Sequence, residues 1–195
     1  MEIIKKSREN IIQDTKQYII GTARGLFSEY SYLGVSMDDI AKKLNITKAA
    51  LYYHFAGKAE IYMEVLNDVF DKLSLSISEA ISEKTVDKKL HKLIRNYLDF
   101  GLKEKNLVKS LMLKLSPADP QIKNRITQLR EQIIGLIQPV IKEMSASKKI
   151  TRKVDDKLLT SLLVGTMNGL ILEYSFLNKK IKSGKIADQI IAALF

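Results

Sequence analysis

Between residues 47 and 58 the chain carries a hydroxyl, two lysines, two tyrosines and a histidine: Thr47, Lys48, Tyr52, Tyr53, His54 and Lys58. All can donate hydrogen bonds, and the lysines bring positive charge. Donors of this kind suit phosphate oxygens and the acceptor edges of nucleic-acid bases. Lys48 can donate to guanine O6 and N7, Ala49 or Ala50 can press on a thymine methyl, and Tyr52 can do either. With Thr47 these form the candidate base-reading group. Tyr53, His54 and Lys58 are the candidate phosphate contacts, which fix register without reading sequence. Ser36, at the start of the preceding helix, adds a hydroxyl beside free backbone N–H groups, a favourable phosphate site.

Other chemistry has little material. The chain holds two histidines, His54 and His91, and no cysteine. The histidines lie far apart, without metal-ligand spacing, and no glycine-rich phosphate loop is present. His91 sits among lysines as an ordinary surface residue. Neither a metal nor a cofactor is expected, and no catalytic residue is named.

The elements that must position these donors are two short helices joined by a tight turn. Ser36 caps the first, and Asp39 completes a capping box three residues on. Ile40, Ala41 and Leu44 form its apolar stripe. Asn45 stands at the turn, because Asn tolerates the left-handed conformation that ends helices. Thr47 caps the second helix. Ala50, Leu51 and Phe55 are expected on its buried side, and small Ala41 lets the two helices cross closely. One side of the second helix is then free to enter a DNA major groove, its N-terminal residues foremost.

The same residues resemble the TetR family of bacterial transcriptional regulators. The resemblance rests on Phe27 and Tyr32 upstream, Ser36-Met37-Asp38-Asp39-Ile40-Ala41, the helix ending Leu51-Tyr52-Tyr53-His54-Phe55, and Lys58. It covers residues 8–66. Ser31 departs from the glycine usual after the first helix and must take a strained backbone angle, at ~1 kcal/mol, unless the loop differs. Gly57 replaces the usual Ser or Asn. The resemblance implies that His54 touches phosphate; the alternative is a helix C-cap without a DNA role. It also implies an effector cavity in a second domain and a dimer seam made by the last two helices.

Hydrophobic residues make up 46% of the 195, prolines number three, and strand-like alternation is missing, so an all-α fold is expected. The expected architecture is a three-helix helix-turn-helix bundle in residues 1–57 and a larger helical bundle in 58–195, about nine helices in all. Helices are expected at 8–29, with Ile12, Ile19, Ala23 and Phe27 inward, then at 58–82, 86–103, 107–115, after a break at Ser116–Pro120 on to about 144 with a kink at Pro139, at 154–177, and after a Ser183-Gly184 turn. The first bundle should end inside the helix starting at Lys58: Ile61, Val65 and Leu66 serve it, while Val69, Leu73 and Ile77 serve the second core. No apolar run reaches the ~18–20 residues of a membrane span, and the N-terminus is too polar for a secretory signal, so a cytoplasmic protein is expected. Net charge is +10, but residues 1–60 hold nine Lys or Arg against seven Asp or Glu. The excess lies mostly elsewhere, in lysine clusters that read as solvated surface while aiding non-specific attraction to DNA.

The helix over 154–177 is unusually apolar and spaces small Ser161, Gly165 and Gly169 four residues apart. With Leu172, and Ile186 and Ile190 of the last helix, these are the candidate dimer interface; burial within their own bundle is the alternative. Tyr62, Phe70, Tyr97, Phe100, Met112, Met167 and Tyr174 are candidate effector-pocket residues, or plain core. A cavity of at least ~300 Å³ is expected between the fourth, fifth, seventh and eighth helices. It should take a mainly apolar, aromatic or amphipathic ligand, with Ser116–Pro120 as the moving part. The expected function is a homodimeric, ligand-responsive repressor on a palindromic DNA operator. The alternatives are a helical carrier or enzyme with a vestigial helix-turn-helix, and a protein that coats DNA or acidic membrane without specificity.

Overall fold

A computed structural model describes residues 2–113, 119–147, 154–177 and 181–195, without the side chains of 2–11, 112 and 113. Among the described residues every element is a helix: α1 (Glu2–Tyr30), α2 (Met37–Leu44), α3 (Lys48–His54), α4 (Lys58–Ile81), α5 (Val86–Lys103), α6 (Lys105–Leu113), α7 (Pro120–Ala146), α8 (Asp156–Leu177) and α9 (Ser183–Leu194). The all-α expectation holds. α6 begins two residues earlier than expected, and Ser183-Gly184 forms the first turn of α9 rather than a turn before it. Ser116 to Ala118 lie outside the described residues. Pro120 opens α7, where its missing N–H costs nothing, and Asp119 Oδ1 accepts from the Gln121 N–H at 2.9 Å.

The chain forms two compact units. The first comprises residues up to Val69 and the described part of 110–125; the second comprises Phe70–Lys109 and Ile126–Phe195. Helix α4 contributes to both.

In the first unit Ile19, Ala23 and Phe27 bury one stripe of α1, and Ile61, Val65 and Leu66 are fully buried on α4. A fully buried Leu or Ile contributes ~1.5–3 kcal/mol. Ile12 is exposed, against expectation. Periodicity put it on the apolar stripe, but helices of 8 and 7 residues cannot cover one of 29. Arg24 and Asp68 pair at 3.0 Å between α1 and α4, and Arg125 Nε donates to Asn67 Oδ1 at 2.7 Å. Phe27 and Tyr32 both pack on the Tyr62 ring, with centroids 4.9 and 4.8 Å away.

In the second unit α5 packs on α8 and α9. Leu90, Leu93, Ile94 and Leu98 meet Ile137 and Ile141 of α7 and Leu163, Met167 and Ile171 of α8 in one core. Gly101 allows the close approach: a Cβ there would lie 2.2 Å from Ile171 Cδ1. Tyr97 donates to Asn168 Oδ1 at 2.9 Å, which satisfies a buried phenol. No helix among the described residues is long and apolar enough to cross a membrane.

Candidate nucleic-acid interface

The turn that delivers the interface starts with backbone strain. Ser31 has φ 63°, the left-handed region, and its N–H donates to Phe27 O at 2.9 Å. Of the two alternatives, a strained angle or a different loop, the structure has the strained angle at this serine. Three residues on, a side chain at Gly34 would strike Tyr30 O at 2.2 Å, so only glycine fits.

Helix α2 carries the expected capping box. The Asp39 N–H donates to Ser36 Oγ at 3.1 Å, and the Ser36 N–H donates to Asp39 Oδ2 at 2.8 Å. Ser36's own N–H is therefore spent within the cap, and the N–H groups still open to a phosphate belong to the following residues. The Ser36 hydroxyl also donates to Asp39 Oδ2 at 2.5 Å, and this bond first, then the one from the Ser36 N–H, holds the Asp39 carboxyl below its ordinary pKa. Asn45 ends α2 at φ 55°, as expected. Thr47 Oγ1 then accepts from the Ala50 N–H at 3.1 Å and starts α3.

On α3 only Leu51 is buried; Phe55, just beyond, is buried too. Ala50 is exposed, not part of the buried side. In a helix this short Leu51 and Phe55 alone face inward, and a residue 100° round from Leu51 clears the contact. Thr47, Lys48, Ala49, Ala50, Tyr52 and Tyr53 thus make one exposed surface. Tyr53 is 75% exposed and Tyr52 47%, so both rings can reach a ligand.

Three cations have partners that the sequence did not reveal. Lys48 Nζ lies 2.9 Å from Asp38 Oδ2 across the turn, and this hydrogen bond raises the lysine pKa. Lys58 Nζ donates to Tyr32 O at 2.9 Å and stands 4.4 Å above the Tyr32 ring; burial lowers its pKa. One of its three donors is committed inward. Lys16 stands 5.4 Å from the Phe55 ring centroid, backing the end of α3. His54 meets Tyr53 edge-on at 5.0 Å, and its Nδ1 is buried with no hydrogen-bond partner among the described residues. The opposite ring nitrogen is the one left for an outside acceptor. The Ala56 N–H donates to Glu60 Oε2 at 2.6 Å, which closes the start of α4.

The remaining candidate residues fall in different places. Tyr62 is buried in the first unit. Tyr97 and Met167 are buried in the core of the second, and Phe70 and Phe100 pack partly buried against it. Tyr174 is half-buried, and the Met112 side chain lies outside the described residues. On α8, Ser161, Gly165 and Gly169 are exposed, and a Cβ at either glycine would meet nothing within 4 Å. Leu158, Leu162 and Phe176 share that exposed side, a signal that sequence reasoning passed over. Leu172 and Ile186 are half-buried, whereas Ile190 is buried in its own core. A groove of about 540 Å³ runs along α5, lined by Glu83, Asp87, Lys88, His91, Lys92 and Arg95. Its Lys92 pairs with Glu83 at 2.8 Å, and His91 lies 3.3 Å from Asp188.

Comparison with known proteins finds two family matches along the chain. Residues 19–65 match the family described as bacterial regulatory proteins, tetR family. Residues 62–195 match the YsiA-like protein C-terminal region. The biofilm operon icaADBC HTH-type negative transcriptional regulator IcaR of Staphylococcus aureus is 32% identical over 143 residues, 72% of this chain and 70% of that protein. Its Staphylococcus epidermidis counterpart is 48% identical over 56 residues, 29% of this chain and 30% of that protein. Among solved structures, a Clostridium perfringens regulator provisionally assigned to fatty acid metabolism has a TM-score of 0.73 at 27% identity, over 88% of this chain and 93% of that one. The fatty acid degradation regulator FadR of Bacillus halodurans shares the fold, with a TM-score of 0.79 at 16% identity over 92% and 93%.

Proposed function

Because this chain belongs to the TetR family of bacterial regulatory proteins, we propose that it is a homodimeric, sequence-specific DNA-binding repressor released by a mainly apolar effector. It is a regulator rather than an enzyme, and it acts in the cytoplasm, where the DNA is. The observation that carries the proposal is the uncovered side of α3, where Thr47 to Ala50, Tyr52 and Tyr53 are exposed on a helix anchored by Leu51 and Phe55. Thr47, Lys48, Ala49, Ala50 and Tyr52 read base edges. Tyr53, His54, Lys58 and the N–H groups that follow Ser36 hold phosphates.

The exposed side of α8 supports the dimer. Ser161, Leu162, Gly165 and Gly169 form an apolar, small-residue row that no part of the described chain covers. A second copy laid against it would set two recognition helices on half-sites related by two-fold symmetry. Repression is supported by IcaR, which is itself a negative regulator. The effector site lies in the second unit, whose interior is almost wholly aliphatic, near Phe70, Tyr97, Phe100, Met167 and Tyr174. Tyr62, whose ring is taken up by Phe27 and Tyr32, is the weakest member of the original set. An apolar chain with a polar head suits such a lining, and the Clostridium relative points to fatty acid derivatives. The ligand acts only if it binds the operator-free conformation more tightly.

Selection from a random duplex library, followed by gel shift in the presence of fatty acids and their thioesters, tests both halves. A palindromic sequence should emerge, and an apolar ligand that raises the melting temperature should weaken its binding. Equal affinity for all duplexes as salt is raised would instead indicate non-specific coating.

A further inference from the structure

We propose that Asp38 is a specificity-determining residue that holds the Lys48 ammonium for base edges and withholds it from phosphates. This rests on the DNA-reading role of α3 given above.

Lys48 is the first residue of the recognition helix, and Asp38 lies in the first turn of the helix before it. Their 2.9 Å contact spans the turn, with side chains 50% and 55% exposed. A pair so open to water contributes little to folding, so its consequence lies at the surface it faces. Alone, a lysine at this position would sweep a wide arc on four rotatable bonds and would take the strongest anion in reach. On DNA that is a phosphate, present at every sequence.

The carboxylate changes both terms. It fixes Nζ beside the start of α3, one helical turn from Tyr52. It also cancels most of the local charge, which lowers attraction to any backbone. It does not exhaust the donor: an ammonium has three N–H bonds, and Asp38 takes one. The other two match adjacent acceptors such as O6 and N7 of guanine. Neighbouring groups do not replace Asp38. Asp39 is turned into the capping box with Ser36, and Lys42 and Lys43 lie in the last turn of α2.

Wild type, Asp38→Asn, Asp38→Glu, Lys48→Ala and Asp38→Asn/Lys48→Ala are compared on two duplexes, the one selected by wild type and its scramble, over a range of salt. Circular dichroism melts confirm folding. Asp38→Asn should bind the scramble more tightly, with a log–log salt slope steeper by about 0.9, one phosphate's worth. Its preference for the selected duplex should fall by about 5-fold, the low end for a good base contact. Asp38→Glu should keep the wild-type slope. In the Lys48→Ala background, Asp38→Asn should leave the preference unchanged. Equal tightening on both duplexes would mean simple charge removal and would overturn the inference, as would a lost preference that persists without Lys48. A wild type that selects no sequence would remove the DNA-reading role itself, and the inference with it.

Discussion

Lys48 and Lys58 carry the same charge ten residues apart but face different tasks. Lys48 stands at the exposed start of α3, and its partner Asp38 is exposed too. Lys48→Ala should cost ~1–3 kcal/mol on the selected duplex and relax preference at one base position. Competition binding on a library of single-base variants checks this. A uniform loss at every position would show that Lys48 touches only phosphate. Lys58 faces inward and satisfies the Tyr32 carbonyl while lying on its ring. Lys58→Met keeps the stem and removes the donor. We expect the first unit to lose ~1–2 kcal/mol, because a part-buried carbonyl loses its partner, and binding to all duplexes to weaken together. An unchanged urea midpoint would assign Lys58 to the backbone of DNA alone.

At the scale of elements, the placement of α2 depends on the turn after α1. Ser31 holds a left-handed angle that costs an L-residue ~1–2 kcal/mol, and glycine gives back ~0.5–1 of that in unfolded-state entropy. Ser31→Gly should therefore stabilise the protein by ~0.5–1 kcal/mol, read from denaturant unfolding with operator affinity unchanged. Destabilisation would mean that the buried Ser31 side chain contributes more than its backbone strain costs. In the second unit Tyr97 ties α5 to α8, and burial pushes its phenol from the ordinary 10.0 up to about 12; Tyr62 in the first unit is raised to about 12 for the same reason. Between pH 10 and 12 the unfolded chain releases these protons while the native chain keeps them. The unfolded state then binds fewer protons, so this stability, complete below pH 10, is lost as pH rises through that window. Urea midpoints for wild type and Tyr62→Phe between pH 8 and 11.5 should diverge, with the variant falling less. Parallel curves would contradict the raised value.

For the whole molecule, symmetry is the controlling property. A single recognition helix of seven residues reads too few bases, and a dimer doubles the site. Gly169 lies in open space on its own chain, so Gly169→Leu should leave each unit folded. If α8 meets a partner there, the added bulk costs ~1–3 kcal/mol at the seam. Sedimentation should then show a shift toward monomer at micromolar concentration, with operator binding reduced and the helical signal intact. A variant as dimeric as wild type would move the interface away from the row at Ser161, Gly165 and Gly169.

The parts legible in the sequence were those set by residues within a few positions of each other. The capping box at Ser36 and Asp39, the left-handed Asn45 and the Thr47 cap all express the conformational preference of one side chain or a local hydrogen bond. Helix α5, expected at 86–103, is observed at those bounds, with the Thr85 side chain capping its start. Tertiary structure decided what depends on distant partners. Lys48 and Asp38 are ten positions apart, Lys58 and Tyr32 twenty-six, Arg125 and Asn67 fifty-eight. Periodicity named an inward side for Ile12 and Ala50 but could not say whether a neighbour would be there to cover it. It also marked α8 as apolar without telling which of its sides stays open. Local preference is written in adjacent residues, whereas the pairing of charges and the covering of faces are settled only when separate helices meet.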